Sequence, residues 1–470
     1  MKGPVPLSAM AAIVLTGCAG VAIDENYREV QRYAQTQAGT EVRWLRSDQE
    51  RASMTAEVDR LLEKPVSMDD AVRIALGYSP AFQVLLADAA SASAEATQSA
   101  RMPNPVFGFE RLLRSGGGER ELDIGRSLSV SLLDLLLLPA RLERAEFRQQ
   151  QTRLQASSAL LNTVTEVRQA WIDAVAARQI ARYREDAASA AGTTAELARR
   201  MQAAGNFSRL QRAREQALSA EAVAAVVRAR QNAAALREAL VRRLGLTPTQ
   251  ALALKLPDRL PALPTAPMDE ATAGKALLDE RLDVRIARAD LERTAKDLGL
   301  TRVTSVVNGL HLSGVSNSET GQPTQKGFEI ELPLPLFDFG DALRSGGQAR
   351  YLAAFNRSVQ VARDASSHVR TTYDGYRSAH DLARHYRDEI VPLRQNIVEE
   401  SVLQYNGMLI GVFDLLAEAR AQIASVVQAI EAERDFWRAD AALKASLLGQ
   451  PITPLVLQAS EAPAVAGGGH

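Results

Sequence analysis

The stretch 326–337 alternates apolar and polar residues with the period of a β-strand. Its apolar positions are Phe328, Ile330, Leu332, Leu334 and Leu336. Glu329 and Glu331 lie between them, in the opposite file. Because neighbouring residues of a strand point to opposite faces, this stretch predicts a strand with one hydrocarbon face and one acidic face.

Three further stretches complete a set of four predicted strands. Residues 121–132 alternate in the same way and place Glu121 and Asp123 in the polar file. Residues 104–113 are predicted to pair with them in one hairpin, and residues 301–315 are predicted to pair with the first stretch in another. A strand that crosses a bilayer at a tilt needs about 9–11 residues, so both hairpins have the length of membrane-spanning hairpins.

The remaining sequence is dominated by helix-forming residues whose apolar positions step by three, four or seven. This periodicity predicts two long helices at about 140–203 and 341–405, with Pro392 kinking the second. Shorter helices are predicted at about 67–102, 208–244, 268–300 and 412–448. At about 1.5 Å per residue, two short helices placed end to end match one long helix, which predicts four helical columns side by side. The pattern suits a coiled-coil seam, and an ordinary helical bundle is the alternative.

The same order of parts occurs twice, which indicates an internal duplication. Val167–Arg168 matches Val369–Arg370 at one offset, and "GNFSRLQRAREQ" (205–216) matches "GVFDLLAEARAQ" (411–422) at an offset that is larger by four. We therefore expect a small insertion near the second helical turn. The predicted organisation is a signal peptide over 1–17, an N-terminal segment over 18–66, a first repeat over 67–255 with a hairpin at about 104–135, a Pro-rich surface linker over 256–267, a second repeat over 268–450 with a hairpin at about 301–337, and a flexible tail over 451–470.

Four strands cannot form a closed barrel, because about eight is the smallest number whose interior side chains still fit. Open strand edges in hydrocarbon are costly, so other copies of the chain are expected to complete the wall. A dimer would supply eight strands around a plugged interior, whereas a trimer would supply twelve strands around an aqueous lumen. We favour the trimer, in which the apolar file faces lipid. The residues expected to line the lumen are Glu121, Asp123, Glu329 and Glu331.

The N-terminus has the features of a bacterial lipoprotein signal. Lys2 and an apolar run precede Leu15-Thr16-Gly17-Cys18, and Cys18 is the one cysteine of the chain. This arrangement is typical of a secretory signal. It also resembles a lipobox, in which the cysteine becomes the mature N-terminus and carries a diacylglyceryl group and an N-acyl chain. A cysteine placed there by chance is the alternative. No run of eighteen apolar residues follows, so no transmembrane helix is predicted.

Charge and motifs argue against several other classes of protein. Lys and Arg number 55 against 56 Asp and Glu, a balance that does not favour nucleic-acid binding. His380 and His385 are five positions apart, whereas two ligands on one helical face need three or four, so no metal site is predicted. No catalytic constellation is recognisable, so no catalytic residue, cofactor or enzyme activity is expected. The alternatives from other classes are a periplasmic coiled-coil structural or adaptor lipoprotein and an envelope enzyme.

Four separated blocks resemble the lipoprotein branch of the TolC-type outer membrane efflux protein family. They are "DDAVRIALGYSPAFQ", its second-half counterpart "LLDERLDVRIARADL", "PLPLFDFG" (333–340) and "YNGMLIGVFDLLAEAR" (405–420). The resemblance implies a mainly α fold with membrane β structure: a lipid-anchored homotrimer with a shared twelve-stranded transmembrane β-barrel in the outer membrane and a long α-helical barrel extending into the periplasm. It implies a passive export duct for small molecules or metal ions, served by a periplasmic adaptor (membrane fusion protein) and an inner-membrane pump such as one of the RND type. An exit duct for type I protein secretion is the alternative function.

Within the same resemblance, the periplasmic end of the tunnel is held nearly closed by polar links and an acidic ring. Tyr405 matches the linking tyrosine of the family, and Asp414 matches a ring aspartate. The chain departs from the family pattern at Ile410, near a linking arginine, and at Ala417, where a second ring acid can stand. An aspartate that merely begins a helix is the alternative for Asp414. The turn residues expected to mark the adaptor-facing surface are Gly205, Gly407 and Gly411.

Overall fold

A computed structural model of the chain describes residues 23–116, 119–269, 281–305, 309–334 and 336–450. The predicted signal peptide, Cys18 and the predicted tail lie outside the described residues. The chain divides into two compact units. The sheet unit contains Ala87–Ala156, Arg285–Val361 and the described residues up to Val30. The helical unit contains Gln31–Leu86, Ser157–Val284 and the described residues from Ala362 onward.

Long helices dominate the described residues. The helices are α1 Ile23–Ala38, α2 Asp48–Leu62, α3 Met68–Tyr78, α4 Pro80–Ser99, α5 Leu132–Leu136, α6 Leu138–Ala203, α7 Arg209–Leu244, α8 Pro248–Ala253, α9 Leu282–Thr304, α10 Asp341–His385, α11 Val391–Asn406 and α12 Val412–Leu447. The strands are β1 Val106–Gly116, β2 Glu119–Ser131, β3 His311–Glu319 and β4 Gln325–Glu331. The bounds of α6, α7 and α12 confirm the predicted helices closely. Over the described ranges, none of the helices is both long enough and apolar enough to cross a membrane.

The prediction of one helix over 67–102 is wrong, because two helices, α3 and α4, meet at Ser79 and Pro80. Pro80 has no backbone N–H, and a proline disfavours helical backbone at the residue before it. Ser79 accordingly leaves the helical region, with φ −59° and ψ 123°. The Gln83 side chain donates to the Gly77 carbonyl at 3.3 Å, which satisfies an acceptor at the end of α3.

The second long helix contains one turn of π-helix, Tyr386–Ile390, between α10 and α11. Pro392 lies in the first turn of α11, separated from the end of the π turn by one residue. Proline lacks an N–H, and its ring clashes with the carbonyl four residues before it in a regular α-helix. The wider π turn relieves this conflict without ending the helix. The π turn therefore lies next to Pro392, and the predicted kink of the helix axis stays a prediction.

The offset between equivalent residues of the two halves of the duplication changes at the π turn. Before it, Trp171 Nε1 donates to the Val66 carbonyl at 2.9 Å and Tyr373 Oη donates to the Met268 carbonyl at 3.2 Å, so equivalent residues are 202 positions apart. After it, α7 and α12 begin 203 positions apart and both have 36 residues. A π turn holds one residue more than an α turn, so the insertion is a single residue. The predicted change of four in the offset is wrong, because it was based on similar residues within the two turns and not on the first residues of the helices that follow them.

The four strands form one antiparallel sheet in the order β1-β2-β3-β4. Pairing of β2 with β3 joins the two hairpins, from Asp123 opposite Glu319 to Ser131 opposite His311. Strands β1 and β4 are the two edges, and neither pairs further with any strand of the described residues.

Two predicted strand limits are wrong. Strand β3 begins at His311 and not at residue 301, because α9 runs on to Thr304, whose hydroxyl donates to the carbonyl four residues before it at 3.1 Å. Strand β4 ends at Glu331 and not at residue 337, because Pro333 has no N–H to donate to a strand ladder. The exposed apolar residues that lie beyond this strand end are Leu332, Leu334 and Leu336.

An aromatic and alanine cluster forms a core of the helical unit. Phe436 is fully buried, and its ring centroid lies 5.5 Å from that of Tyr376 and 5.1 Å from that of Trp437. The Pro-rich linker has neither helix nor strand, yet Leu263 packs in this cluster and Trp437 Nε1 donates to the Pro261 carbonyl at 3.0 Å. The linker predicted as a surface segment is therefore partly buried.

Candidate functional site

One face of the four-stranded sheet is rich in carboxylates. Residues that lie directly opposite each other in an antiparallel sheet share a face. Ser129 lies opposite Ser313, which lies opposite Glu329, so alternate residues of β2 and β4 counted from this row lie on one face. The predicted lumen residues on that face are Glu121, Asp123, Glu329 and Glu331. The structure brings all four together on one face, and their role as lumen lining stays a prediction.

Two further carboxylates on the same face were not predicted. Glu110 lies opposite Gly125, and Glu319 lies opposite Asp123. The sequence did not reveal them, because β1 also places apolar residues such as Leu112 on the polar face, and only the pairing register assigns the faces. Like charges directly opposite each other destabilise a sheet, so cations near this face would stabilise it.

The opposite face of the sheet is apolar and exposed in the single chain. Phe107, Leu128 and Phe328 lie in one row across the sheet, with 66%, 54% and 77% of their surfaces exposed. Arg126 and Lys326 lie in the next row on the same face. A group of exposed apolar side chains of this kind marks a site that a partner or a lipid covers. The prediction that the apolar file occupies one face is confirmed for Phe328 and Ile330, and the other three predicted members lie beyond the end of β4.

The turns before α7 and α12 lie side by side in the helical unit. Phe207 stacks on Phe413 with ring centroids 4.3 Å apart and an interplanar angle of 23°. The Ser208 hydroxyl accepts a hydrogen bond from the Gln211 N–H at 3.1 Å, while the Ser208 N–H donates to the Gln211 side chain at 2.9 Å. These two bonds cap α7, and α12 begins at the equivalent point with Gly411 as its N-cap. The two helix starts therefore form one packed structure.

Asp414 lies in the first turn of α12, at the place that Gln211 occupies in α7. Its carboxylate is exposed and accepts a hydrogen bond from the Gly411 N–H at 3.0 Å. A carboxylate at this position stabilises a helix through the hydrogen bond and through the helix dipole, so the helix-start role is present in the structure. An acidic ring needs other copies of the chain and stays a prediction. The linking role of Tyr405, whose surface is 41% exposed, also stays a prediction.

The three predicted turn glycines do lie in the two turns, but only Gly205 needs to be glycine. Gly205 follows α6 with φ +82°, a left-handed conformation that glycine adopts without strain. Gly407 and Gly411 have φ −77° and −79°, which any residue adopts. In the second turn the left-handed residue is Met408, with φ +60°. A left-handed backbone therefore does not explain glycine at positions 407 and 411. Contact of these turns with an adaptor stays a prediction.

Two ion pairs that were not predicted connect α12 to neighbouring helices. Arg420 Nη1 lies 3.3 Å from the carboxylate of Glu215, a buried residue of α7. Arg394 of α11 lies 3.5 Å from Glu418. No sequence signal identifies such partners, since Glu215 and Arg420 are 205 positions apart. The pairs therefore link α12 to α7 and to α11.

No protein-family model and no curated protein matches the chain, but solved structures do. The chain is similar to a membrane protein from Pseudomonas aeruginosa, at 19% sequence identity, with 81% of this chain and 93% of that chain covered and a TM-score of 0.69. It is similar to the outer membrane protein VceC from Vibrio cholerae, at 16% identity, with coverage of 84% and 96% and a TM-score of 0.67. It is also similar to the outer-membrane channel OprN, at 19% identity, with coverage of 87% and 95% and a TM-score of 0.69. The chain therefore has the fold of these membrane proteins, and the expected fold class, mainly α with four antiparallel strands, is confirmed.

Proposed function

Given a fold shared with an outer-membrane channel, we propose that the chain is one subunit of a homotrimeric channel in the outer membrane, the passive exit duct of a tripartite efflux system. The observation that carries this proposal is the sheet, which has two open edges, one face with exposed apolar side chains and one face rich in carboxylates. In hydrocarbon, the unpaired backbone groups of an open edge cost several kcal/mol each. Pairing β4 of one copy with β1 of the next removes both edges.

Three copies, and not two, suit a duct. Eight strands enclose an interior that side chains fill, whereas larger barrels enclose a channel, and three copies of this sheet supply twelve strands. In such a wall the row of Phe107, Leu128 and Phe328 would meet lipid. The carboxylates that would face the lumen are Glu110, Glu121, Asp123, Glu319, Glu329 and Glu331. Rings of carboxylates favour cations over anions in a pore, so we expect a cation-selective duct.

The helices are proposed to continue the duct into the periplasm, where the turns before α7 and α12 meet an adaptor (membrane fusion protein). The side chains of Met408 and Leu409 in the second turn are 93% and 78% exposed, which supports docking of a partner there. The proposed adaptor-facing glycines are Gly205, Gly407 and Gly411. Asp414 and Tyr405 are proposed to form the gate. An inner-membrane pump, of the RND type in this proposal, supplies the driving force.

The anchor and the cargo belong to the same proposal. Cys18 is proposed to carry a diacylglyceryl group and an N-acyl chain, which would attach the protein to the lipids of the outer membrane. Two acyl signals give stable attachment where one does not. The cargo is proposed to be small molecules or metal ions delivered by the pump.

Disulfides between edge strands test the proposed assembly. Phe109→Cys on β1 is combined with Phe328→Cys or with Ile330→Cys on β4. All three strand positions lie on the apolar face. Each variant also carries Cys18→Ser, so that no other cysteine is present. Neighbouring strands lie about 4.8 Å apart, so β1 and β4 of one sheet are too far apart for a disulfide. We therefore expect oxidation to produce covalently linked dimers and trimers on denaturing gels.

The matched control is Leu128→Cys with Gly314→Cys, which are direct partners within one chain. Their disulfide is intramolecular, so this control should still migrate as a monomer after oxidation. Cation selectivity of the reduced edge variants in planar bilayers then tests the duct itself. Monomers in every edge variant after oxidation, together with a monomeric mass in detergent, would contradict the proposed assembly.

A further inference from the structure

A cavity of about 300 Å³ lies in the sheet unit between α6, α9 and α10. The proposed duct function does not use it. Its charged lining residues are Arg144, Asp290, Arg293, Asp297, Arg350 and Arg357. Four guanidinium groups therefore face two carboxylates in a partly enclosed space. Guanidinium groups held close together repel one another, so an excess of like charge is unfavourable until an opposite charge joins it.

The two carboxylates of the cavity are already shared among three arginines. Arg293 lies 2.7 Å from Asp290 and 2.9 Å from Asp297. Arg144 Nε lies 2.7 Å from Asp297, and Arg357 lies 3.6 Å from Asp290. Each carboxylate of the cavity therefore already pairs with two of these three arginines.

The fourth arginine, Arg350, lacks a carboxylate partner among the described residues, and its Nε donates to the Gly346 carbonyl at 3.2 Å. In addition, the Nε atom of Arg293 is buried without a hydrogen-bond acceptor among the described residues, whereas Arg144 Nε already faces Asp297 Oδ1 at 2.7 Å. Burial lowers the pKa of Arg144; Asp297 acts against this effect, and two neighbouring arginines lower the pKa further. The cavity thus has more cationic donors than protein acceptors.

We propose that this cavity binds a phosphate oxyanion, carried either by a soluble phosphate or by the headgroup of an anionic phospholipid. Guanidinium groups are planar forks of donors that match pairs of phosphate oxygens, so several arginines around one cavity favour phosphate over a monatomic anion. The volume of the cavity is at the lower end of the range typical of ligand sites, which suits one phosphate group.

The position of the cavity accounts for the two possible sources. Thr301 and Thr304, in the last turn of α9, line it, and β3 begins at His311 only a few residues later. In the proposed function this end of the strands faces the periplasm, level with the inner leaflet of the outer membrane. The lipid source therefore rests on the proposed function, whereas the soluble source does not.

The experiment uses the full-length protein purified in a zwitterionic detergent. Inorganic phosphate is titrated by calorimetry, and phosphatidylglycerol is titrated by native mass spectrometry against phosphatidylcholine at the same concentrations. Arg350→Gln is the test variant, because Arg350 is exposed and makes no ion pair in the described part of the chain. Arg302→Gln is the matched control, because Arg302 is an exposed arginine of α9 outside the lining of the cavity.

We expect the unchanged protein to bind one of the probes saturably. Arg350→Gln should bind it about tenfold or more weakly, because it loses one charge-assisted contact, and Arg302→Gln should bind it with unchanged affinity. Binding of phosphate alone assigns a soluble source, and binding of phosphatidylglycerol alone assigns the lipid. The proposal is overturned if neither probe binds saturably, or if Arg350→Gln binds as the unchanged protein does. Loss of the oligomer in Arg350→Gln without any bound anion also overturns it, because the arginine would then serve subunit contact. Phosphate binding in a protein that forms no channel would separate this site from the duct function.

Discussion

Asp414 has two testable roles, and a graded set of substitutions separates them. Asp414→Asn keeps a side-chain acceptor for the Gly411 N–H, which lies 3.0 Å from the carboxylate, but removes the charge. Asp414→Ala removes the acceptor as well. Gln211→Ala is the matched control, because Gln211 holds the equivalent place in α7 and accepts from the Ser208 N–H at 2.9 Å without carrying a charge.

The two roles predict effects of different size. Loss of a cap contact costs about 0.5–2 kcal/mol, and loss of the interaction between charge and helix dipole costs about 0.3–1 kcal/mol. Asp414→Ala loses both contributions and should therefore destabilise the fold more than Gln211→Ala, which loses only the cap contact. Asp414→Asn keeps an acceptor and should destabilise it less than Asp414→Ala. Two unit charges 4 Å apart interact by about 1 kcal/mol in water, so a divalent cation facing three carboxylates at about twice that distance gains on the order of 3 kcal/mol before salt screening. Because about 1.4 kcal/mol corresponds to a factor of ten, both Asp414 variants should weaken block by at least about tenfold.

The assay is single-channel recording in planar bilayers, with block by Mg²⁺ measured at low and at high ionic strength. We expect higher conductance and weaker block in Asp414→Asn and Asp414→Ala, and neither change in Gln211→Ala. Block of the unchanged protein should fade as salt rises, because the Debye length shortens to about 10 Å at 0.1 M. If Asp414→Asn leaves conductance and block unchanged, or if Gln211→Ala alters them equally, the acidic ring is refuted and Asp414 is only a helix-start residue.

Two further predictions concern pH and the N-terminal anchor. Burial raises the pKa of Glu433 above its ordinary value, with Arg387 and Arg259 acting in the opposite direction. The folded protein therefore holds this proton more tightly than the unfolded chain, and stability falls as pH rises from the unfolded carboxyl pKa through the folded one. Glu433→Gln should raise Tm at pH 7 and leave it nearly unchanged below the unfolded pKa, and thermal unfolding that shows a lower Tm at pH 7 would contradict this. Cys18→Ser should abolish incorporation of radiolabelled palmitate in growing cells, and persistent labelling would exclude lipidation at this residue.

Local sequence patterns predicted the helices and strand faces well, because they depend only on backbone geometry near each residue. The apolar spacing and the turn residues before Arg209 place α7 close to its observed bounds. The alternation around Phe328 and Glu329 assigns these residues to opposite faces of β4, as observed. The same local pattern failed at the strand ends, where alternation continued past Pro333 although the ladder did not.

Strand limits and repeat registers needed more than pattern. The residues after 300 alternate like a strand, yet α9 continues to Thr304. The two turns contain similar residues, and aligning those residues gives one offset between the halves. The N-caps of the following helices, Ser208 and Gly411, give a different offset, because the π turn contains one extra residue. In both places a local pattern allowed two alignments, and packing of the whole helix selected one.

The sequence by itself determined the fold class, the long helices, the duplication and the two-faced character of the strands, because periodicities of 3.6 and 2 residues are local properties. Only the tertiary structure decided which distant residues meet. It placed Glu319 opposite Asp123, joined Glu215 to Arg420, and gathered the arginines around the cavity that contains Arg350. Such neighbours depend on strand register and helix packing between segments far apart in the chain, and no spacing within a single segment encodes them.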